Sequence, residues 1–379
     1  MLLARKTWLD WLRGVAVIVM VMAHVTDAWT RPDDRTGTLY AYTVFVAGLA
    51  APLFLFLAGL TLSMAASARA SRVGFAAAAA MARWRGVQIF ALAFLFRLQS
   101  QLLGWGALIN FLKVDILNIM GITMTAAAIL WGFSERRIVR VMLFALATIA
   151  VAMSTPLVRE TPLLSALPDA IEAYIRPKPG FTNFALFPWA GFLLAGAIVG
   201  ELIYAAQDLK TSRPQDQERR LHAGLLLAGL GGIVIAYAAS FQPSIYPVAN
   251  FWTSSPTFFF IRLGICTVMV PIARGVDVFH AFVRDWRSRP SGARADNAVA
   301  PGLVTTTLGR SSLFVYWIHV EMAYGGLARP IKRALPLEVS LIATVALCAL
   351  LYAIVKWKDR KMQGIELRGP YRILAPVLK

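Results

Sequence analysis

Charge is scarce in this chain. Asp, Glu, Lys and Arg make up 15% of its 379 residues, where a soluble domain carries about 25%. A soluble protein of this length would lack the ions to cover its surface. Acids are scarcer still, 20 against 38 Lys and Arg, for a net charge of +18. A basic balance of that size suggests nucleic acid, but no basic run is interleaved with the aromatics that single-strand binding needs. Nucleic acid is therefore excluded as a partner. Cysteine is almost absent. Cys266 and Cys348 both lie in apolar stretches, which excludes a disulfide framework and a zinc site and leaves both as packing residues. No repeat of short period is present, so a solenoid is excluded as well.

What is abundant is apolar surface. Hydrophobic residues make up 58% of the chain and its mean hydropathy is +0.62. Runs of about 20 apolar residues favour helices over a barrel, whose strands alternate with period two. The fold expected is an all-α, polytopic membrane bundle of about ten spans. They lie near 8–28, 39–65, 83–103, 114–132, 137–154, 184–206, 221–240, 257–275, 303–324 and 337–356. One domain is expected over 1–379, with cytoplasmic loops at 207–220 and 277–300 and an outer loop at 155–183. The run "ASARASR" reads as a further short basic loop.

Ten spans with both termini in the cytoplasm leave few basic residues outside. Arg31, Arg35, Arg159, Arg176, Lys178, Arg329, Lys332 and Arg333 fall in outer loops, and Arg97, Lys113 and Arg262 near the outer ends of spans. Most of the 38 lie on the other side, which is the bias expected of cytoplasmic loops. The first segment resembles the apolar region of a signal peptide, but Arg13 interrupts it and no small-x-small site follows. It is expected to remain as a span. Gly196 and Gly200, in "AGAIVG", have the small-xxx-small spacing that lets helices approach closely.

Ionisable groups inside spans are costly and usually face a cavity or a partner. The topology puts His24, Arg97, Asp115, Asn118, Asn183, Arg262 and His319 in the outer half of the bilayer. Arg97 and Arg262 also fit side chains that snorkel to the interface. Asp115 fits a helix N-cap, and His319, beside Tyr316 and Trp317, an interfacial histidine. His24 is the natural general base, because imidazole exchanges protons near neutral pH. Arg13 precedes it by almost three turns, about 16 Å along the same face. Asp10 sits one turn before Arg13, where it can hold the guanidinium.

No Gly-rich phosphate loop, nucleophile elbow, metal-spaced histidine pair or paired-carboxylate motif is present, and no metal is expected. A donor with a phosphate-bearing head in the cytoplasm and a reactive end in the membrane suits the Arg13–His24 spacing. An acyl thioester of coenzyme A is such a donor. The same cavity also suits a transporter of a glycan or lipid precursor, although inverted repeats and broken midplane helices are not evident.

The stretch "LDWLRGVAVIVMVMAHV" resembles the opening helix of the transmembrane acyltransferase superfamily. "APLFLFLAGLTLSM", "VDILNIMGI", "FALFPWAGFLLAGAIVGE" and "LGRSSLFVYWIHV" resemble, in that order, segments of the heparan-alpha-glucosaminide N-acetyltransferase catalytic-domain family. The resemblance implies a multi-helix enzyme that moves acetyl from cytosolic acetyl-CoA to an amine or hydroxyl of an envelope glycan. It makes His24 the catalytic histidine and Asp115 an acid that orients it. Arg13 and Asp10 are then expected at the donor, and Arg262, Asn118, His319 and Arg97 at the acceptor. The partners expected are the lipid bilayer, the acyl-CoA donor and the glycan acceptor, with room for a homodimer. The location expected is the inner (plasma) membrane. The acyltransferase 3 group, which O-acylates polysaccharides, is the competing branch.

Overall fold

The computed structural model describes residues 6–104, 111–207, 214–288, 304–363 and 377. Every expected apolar segment returns as helix. In chain order the helices are α1 (Thr7–Trp29), α2 (Gly37–Ala47), α3 (Ala50–Val73), α4 (Phe75–Gly104), α5 (Ile116–Gly132), α6 (Arg137–Glu160) and α7 (Asp169–Ile175). They continue with α8 (Leu186–Ala206), α9 (Pro214–Ala239), α10 (Pro256–Ser288), α11 (Val304–Arg310), α12 (Ser312–Tyr324) and α13 (Leu337–Lys361). No strand occurs among the described residues, only isolated bridges from Thr30 to Leu335 and from Val114 to Thr182. Eight helical stretches are long and apolar enough to cross a membrane, α2 and α3 forming one of them. The chain is a multi-pass membrane protein.

Two expected spans fall short of that length. The one at 114–132 holds α5, with 17 residues, and the one at 303–324 breaks into α11 and α12. The break is at Ser311, whose φ of −107° and ψ of 27° leave the helical region. Serine and glycine are weak helix formers, and the Ser311 hydroxyl receives a hydrogen bond from the buried Lys358 ammonium on α13, at 2.9 Å.

The loops need correction in the opposite direction. "ASARASR" is not a loop but the end of α3. Alanine is the best helix former, so the helix runs on until Gly74, where φ is +87°. Of the loop expected at 207–220, residues from Pro214 onward belong to α9, with proline at its first position as helices favour. Residues 208–213 lie outside the described residues. Of the loop expected at 277–300, residues through Ser288 extend α10, and 289–300 lie outside the described residues. An Arg274–Asp277 ion pair of 3.1 Å at helical spacing supports that extension.

Where one domain was expected, the contacts group the chain into two compact units, residues 1–50 with 269–379, and residues 51–268. In the first unit α1 packs against α2, α11, α12 and α13. Its contact with α11 is backbone on backbone. A Cβ on Gly14 would fall on the Thr305 carbonyl, and one on Gly309 on the Asp10 carbonyl. In the second unit α8 is the central helix, packed on α5, α6, α7 and α9. Gly196 and Gly200 bring it onto the α3 backbone at Phe56 and Leu60, as their spacing led us to expect.

The segment expected as an outer loop, 155–183, is an ordered cap on the second unit. It holds the end of α6, a short 3-10 turn (Pro162–Ala166) and α7. Ala173 of α7 joins Val114 and Ile119 in a small core, with Tyr174, Phe181, Phe184, Leu186 and Trp189 packed around it. The Arg176 guanidinium donates to the carbonyls of Arg159 and Thr161, at 3.1 and 2.6 Å, and so closes the end of α6. The buried Glu172 carboxylate accepts from Lys178 at 2.9 Å and from Arg176 at 2.6 Å. Lys178 above all, and Arg176 beside it, hold the Glu172 carboxyl below the usual carboxylate range. A depressed acid stabilises the folded state above its unfolded pKa of about 4.3, and that contribution vanishes as pH falls through the folded value. Thermal unfolding in detergent, followed from neutral pH downward, is therefore expected to show an acid-induced loss that Glu172→Gln lacks. Parallel curves for the two proteins below about pH 4.3 would refute this role.

Candidate functional site

The centre of the first unit is a pair of histidines. α1 presents His24 in its last two turns, and α12 presents His319, which is fully buried. Nε2 of His319 lies 2.9 Å from Nδ1 of His24. The ring planes are 13° from parallel with centroids 4.9 Å apart, an offset arrangement in which the two ring nitrogens meet at their edges. Nδ1 of His319 lies 2.8 Å from the Val315 carbonyl, one turn back on its own helix.

That chain of contacts fixes the protons. A carbonyl only accepts, so Nδ1 of His319 carries the hydrogen and donates to Val315. Nε2 of a neutral His319 is then an acceptor, and Nδ1–H of His24 must be its donor. The lone pair of a neutral His24 is left on Nε2. A fixed tautomer with one basic nitrogen is what a general base requires.

The surroundings hold His24 in place. The Tyr324 ring meets it edge-on at 5.5 Å, and the Tyr324 hydroxyl donates to Asp27 at 2.8 Å. The Trp29 indole donates to the Ala323 carbonyl at 2.9 Å, which ties the end of α1 to the end of α12. At the other end of α1, Arg13 donates to the buried Asp10 at 3.4 Å. This is the pairing their spacing predicted. The Arg13 side chain keeps 30% of its exposure, so it can still meet an anion.

The other expected residues lie in the second unit. Asp115 caps α5: its carboxylate accepts from the Ile116 amide at 2.8 Å, and the Asn118 side chain accepts from the Asp115 amide at 3.0 Å. Arg97 ion-pairs with Asp115 at 3.1 Å. Asn118 also donates to the Tyr174 hydroxyl at 3.3 Å. Asn183 pairs through its backbone with Val114. His24 thus has His319 as a partner, and Asp115 has Arg97. Arg262 lies buried against aromatic rings, 4.3 Å from Phe258 and 5.4 Å from both Trp189 and Phe192.

Sequence reasoning missed Glu201. It is fully buried on α8, and one of its oxygens accepts from Ser63, Ser67 and the Trp131 indole at 2.6, 2.8 and 2.8 Å. The other accepts from Arg140 at 2.7 Å. Arg140 also donates to the Ser134 and Glu135 carbonyls and lies over the Trp131 ring. One carboxylate therefore ties α3, α5, α6 and α8 together. The available signal was a single acid in the otherwise uncharged stretch "FLLAGAIVGELIY".

The class defined by this geometry is a multi-pass membrane protein with a hydrogen-bonded histidine pair inside a helical unit. Residues 5–239 match the family described as heparan-alpha-glucosaminide N-acetyltransferase, catalytic, and the chain belongs to that family. It is a membrane acetyltransferase. The match covers α1 to α9, including His24, and ends before His319. A search of curated proteins found no match.

Proposed function

We propose that the protein transfers acetyl from cytosolic acetyl-CoA to an amine or hydroxyl of an envelope glycan, with His24 as the base. The observation that carries the reading is the Val315–His319–His24 hydrogen-bond chain, which leaves the basic nitrogen of His24 at Nε2. In the reaction Nε2 accepts the proton of the acceptor nucleophile as it attacks the thioester carbonyl. A C–N or C–O bond forms, the C–S bond breaks, and the proton passes from Nε2 to the departing thiolate of coenzyme A. His319 is the positioning residue that keeps His24 in this tautomer. Arg13, partly exposed and steadied by Asp10, is assigned to the phosphates of the donor, since a guanidinium suits phosphate geometry. Of the residues expected at the acceptor, Arg97 and Asn118 are engaged by Asp115 and Tyr174. Both termini are assigned to the cytoplasm of an inner (plasma) membrane.

The test is acetyl transfer in proteoliposomes loaded with a mixture of hexosamine-terminated oligosaccharides and supplied outside with acetyl-labelled acetyl-CoA. Label on an internal sugar, with thiol released in equal amount, is the expected result. Label-free sugars beside undiminished acetyl-CoA would overturn the donor assignment.

A further inference from the structure

Arg262 is buried without a counter-charge among the described residues. The residue is 7% exposed, and its guanidinium lies among Phe258, Trp189 and Phe192 at 4.3, 5.4 and 5.4 Å. Among the described residues its Nε has no hydrogen-bond partner and no carboxylate pairs with it. Another cation adds to the imbalance. Arg159, at the end of α6, acts on Arg262 electrostatically, and its own buried Nε also has no hydrogen-bond partner among the described residues.

Elementary magnitudes make this arrangement incomplete. Cation–π contacts recover only part of what removing a guanidinium from water costs. Arginine does not escape by losing its proton. Arg159, a half-buried cation beside Glu160, raises the cost further. Aromatic rings take the flat faces of a guanidinium, and its five N–H donors point outward in the plane. An oxyanion fits that edge in a bidentate manner.

We propose that Arg262, with Arg159, forms a binding site for a phosphate or carboxylate group brought by a molecule from outside the chain. Both arginines belong to the second unit, and Trp189 and Phe192 set the orientation of the fork. A soluble sugar that carries an acidic group offers this chemistry. An anionic lipid headgroup offers the same chemistry.

The experiment uses the full chain in neutral detergent at constant ionic strength. Thermal unfolding and tryptophan fluorescence are followed as inorganic phosphate or glucuronate replaces chloride. A parallel arm compares nanodiscs of phosphatidylcholine alone with nanodiscs containing one quarter phosphatidylglycerol. A saturable stabilisation is expected with at least one probe, weakened about tenfold or more by Arg262→Gln, which removes charged hydrogen bonds. Arg262→Lys is expected to retain part of it. Response to phosphate or glucuronate identifies a soluble acidic group, and response confined to the anionic nanodiscs identifies the lipid. Arg159→Gln gives a second reading should Arg262→Gln fold poorly, and it too is expected to weaken the response. Without any probe, Arg262→Met is expected to be at least as stable as the parent, because it removes an uncompensated charge. Absence of saturation with all three probes, or an equal response in Arg262→Gln and Arg159→Gln, would overturn the proposal. Acetyl transfer that persists alongside such a result would leave the proposed reaction standing; saturable anion binding without transfer would do the reverse.

Discussion

His24→Ala is expected to lower acetyl transfer by about 10² to 10⁴-fold, the usual contribution of a positioned general base, while leaving the protein folded. Folding should survive because His24 is only half-buried and the packing of α1 on α11 is made by Gly14 and Gly309. Substitutions at His319 separate positioning from chemistry. His319→Gln places a carbonyl where Nε2 of His319 accepts from His24, and is expected to retain much of the activity. His319→Leu has no acceptor, frees the His24 ring to rotate, and is expected to cost about a hundredfold through misplacement alone. Rates of thiol release by the three variants, beside their melting curves, provide the check. Equal rates for His319→Gln and His319→Leu would remove the tautomer argument. Parent-like rates in His24→Ala would remove the base.

The largest structural effect is expected at Glu201. Glu201→Ala strands the buried Arg140 guanidinium and leaves Ser63, Ser67 and the Trp131 indole without their common acceptor. Breaking a buried ion pair from one side costs about 3–5 kcal/mol, which corresponds to a fall in melting temperature of roughly 10 °C. The two charges together contribute far less than that, because each was desolvated to form the pair. A Glu201→Leu/Arg140→Met double variant is therefore expected to recover most of the loss. Melting curves of the single and double variants in detergent decide the matter: a single variant within about 1 kcal/mol of the parent would show that the network is solvated rather than buried.

The contrast between His24 and Glu201 shows what the amino-acid order reveals. His24 was legible because a titratable ring in an apolar stretch is costly, and because Arg13 and Asp10 recur on its own helix at turn-related spacing. Those are local relations, read along one axis. Glu201 carries the same cost, but its partners come from three other helices, up to 138 residues away, and nothing local points to them. His319 was visible as a polar residue, yet its partner is 295 residues distant; no periodicity encodes such a pairing. The capping of α5 by Asp115 was legible, because an acid immediately before an apolar run is a helix-start signal. The helix ends were misread for a different reason. Basic residues at the ends of α3 and α10 suggested loops, but alanine richness in one and an i,i+3 ion pair in the other carried the helix through them.

The division into two units bears on how the protein is made. Residues 51–268 form one unit without interruption, whereas the other needs residues 1–50 together with 269–379. On the ribosome, where domains tend to fold as they emerge, the continuous unit can close first. The helix that bears His24 is synthesised before residues 51–268, yet its histidine partner and the α11 backbone on which it rests arrive only after them. A chain released after residue 268 is thus expected to hold the continuous unit intact while lacking the His24–His319 hydrogen bond.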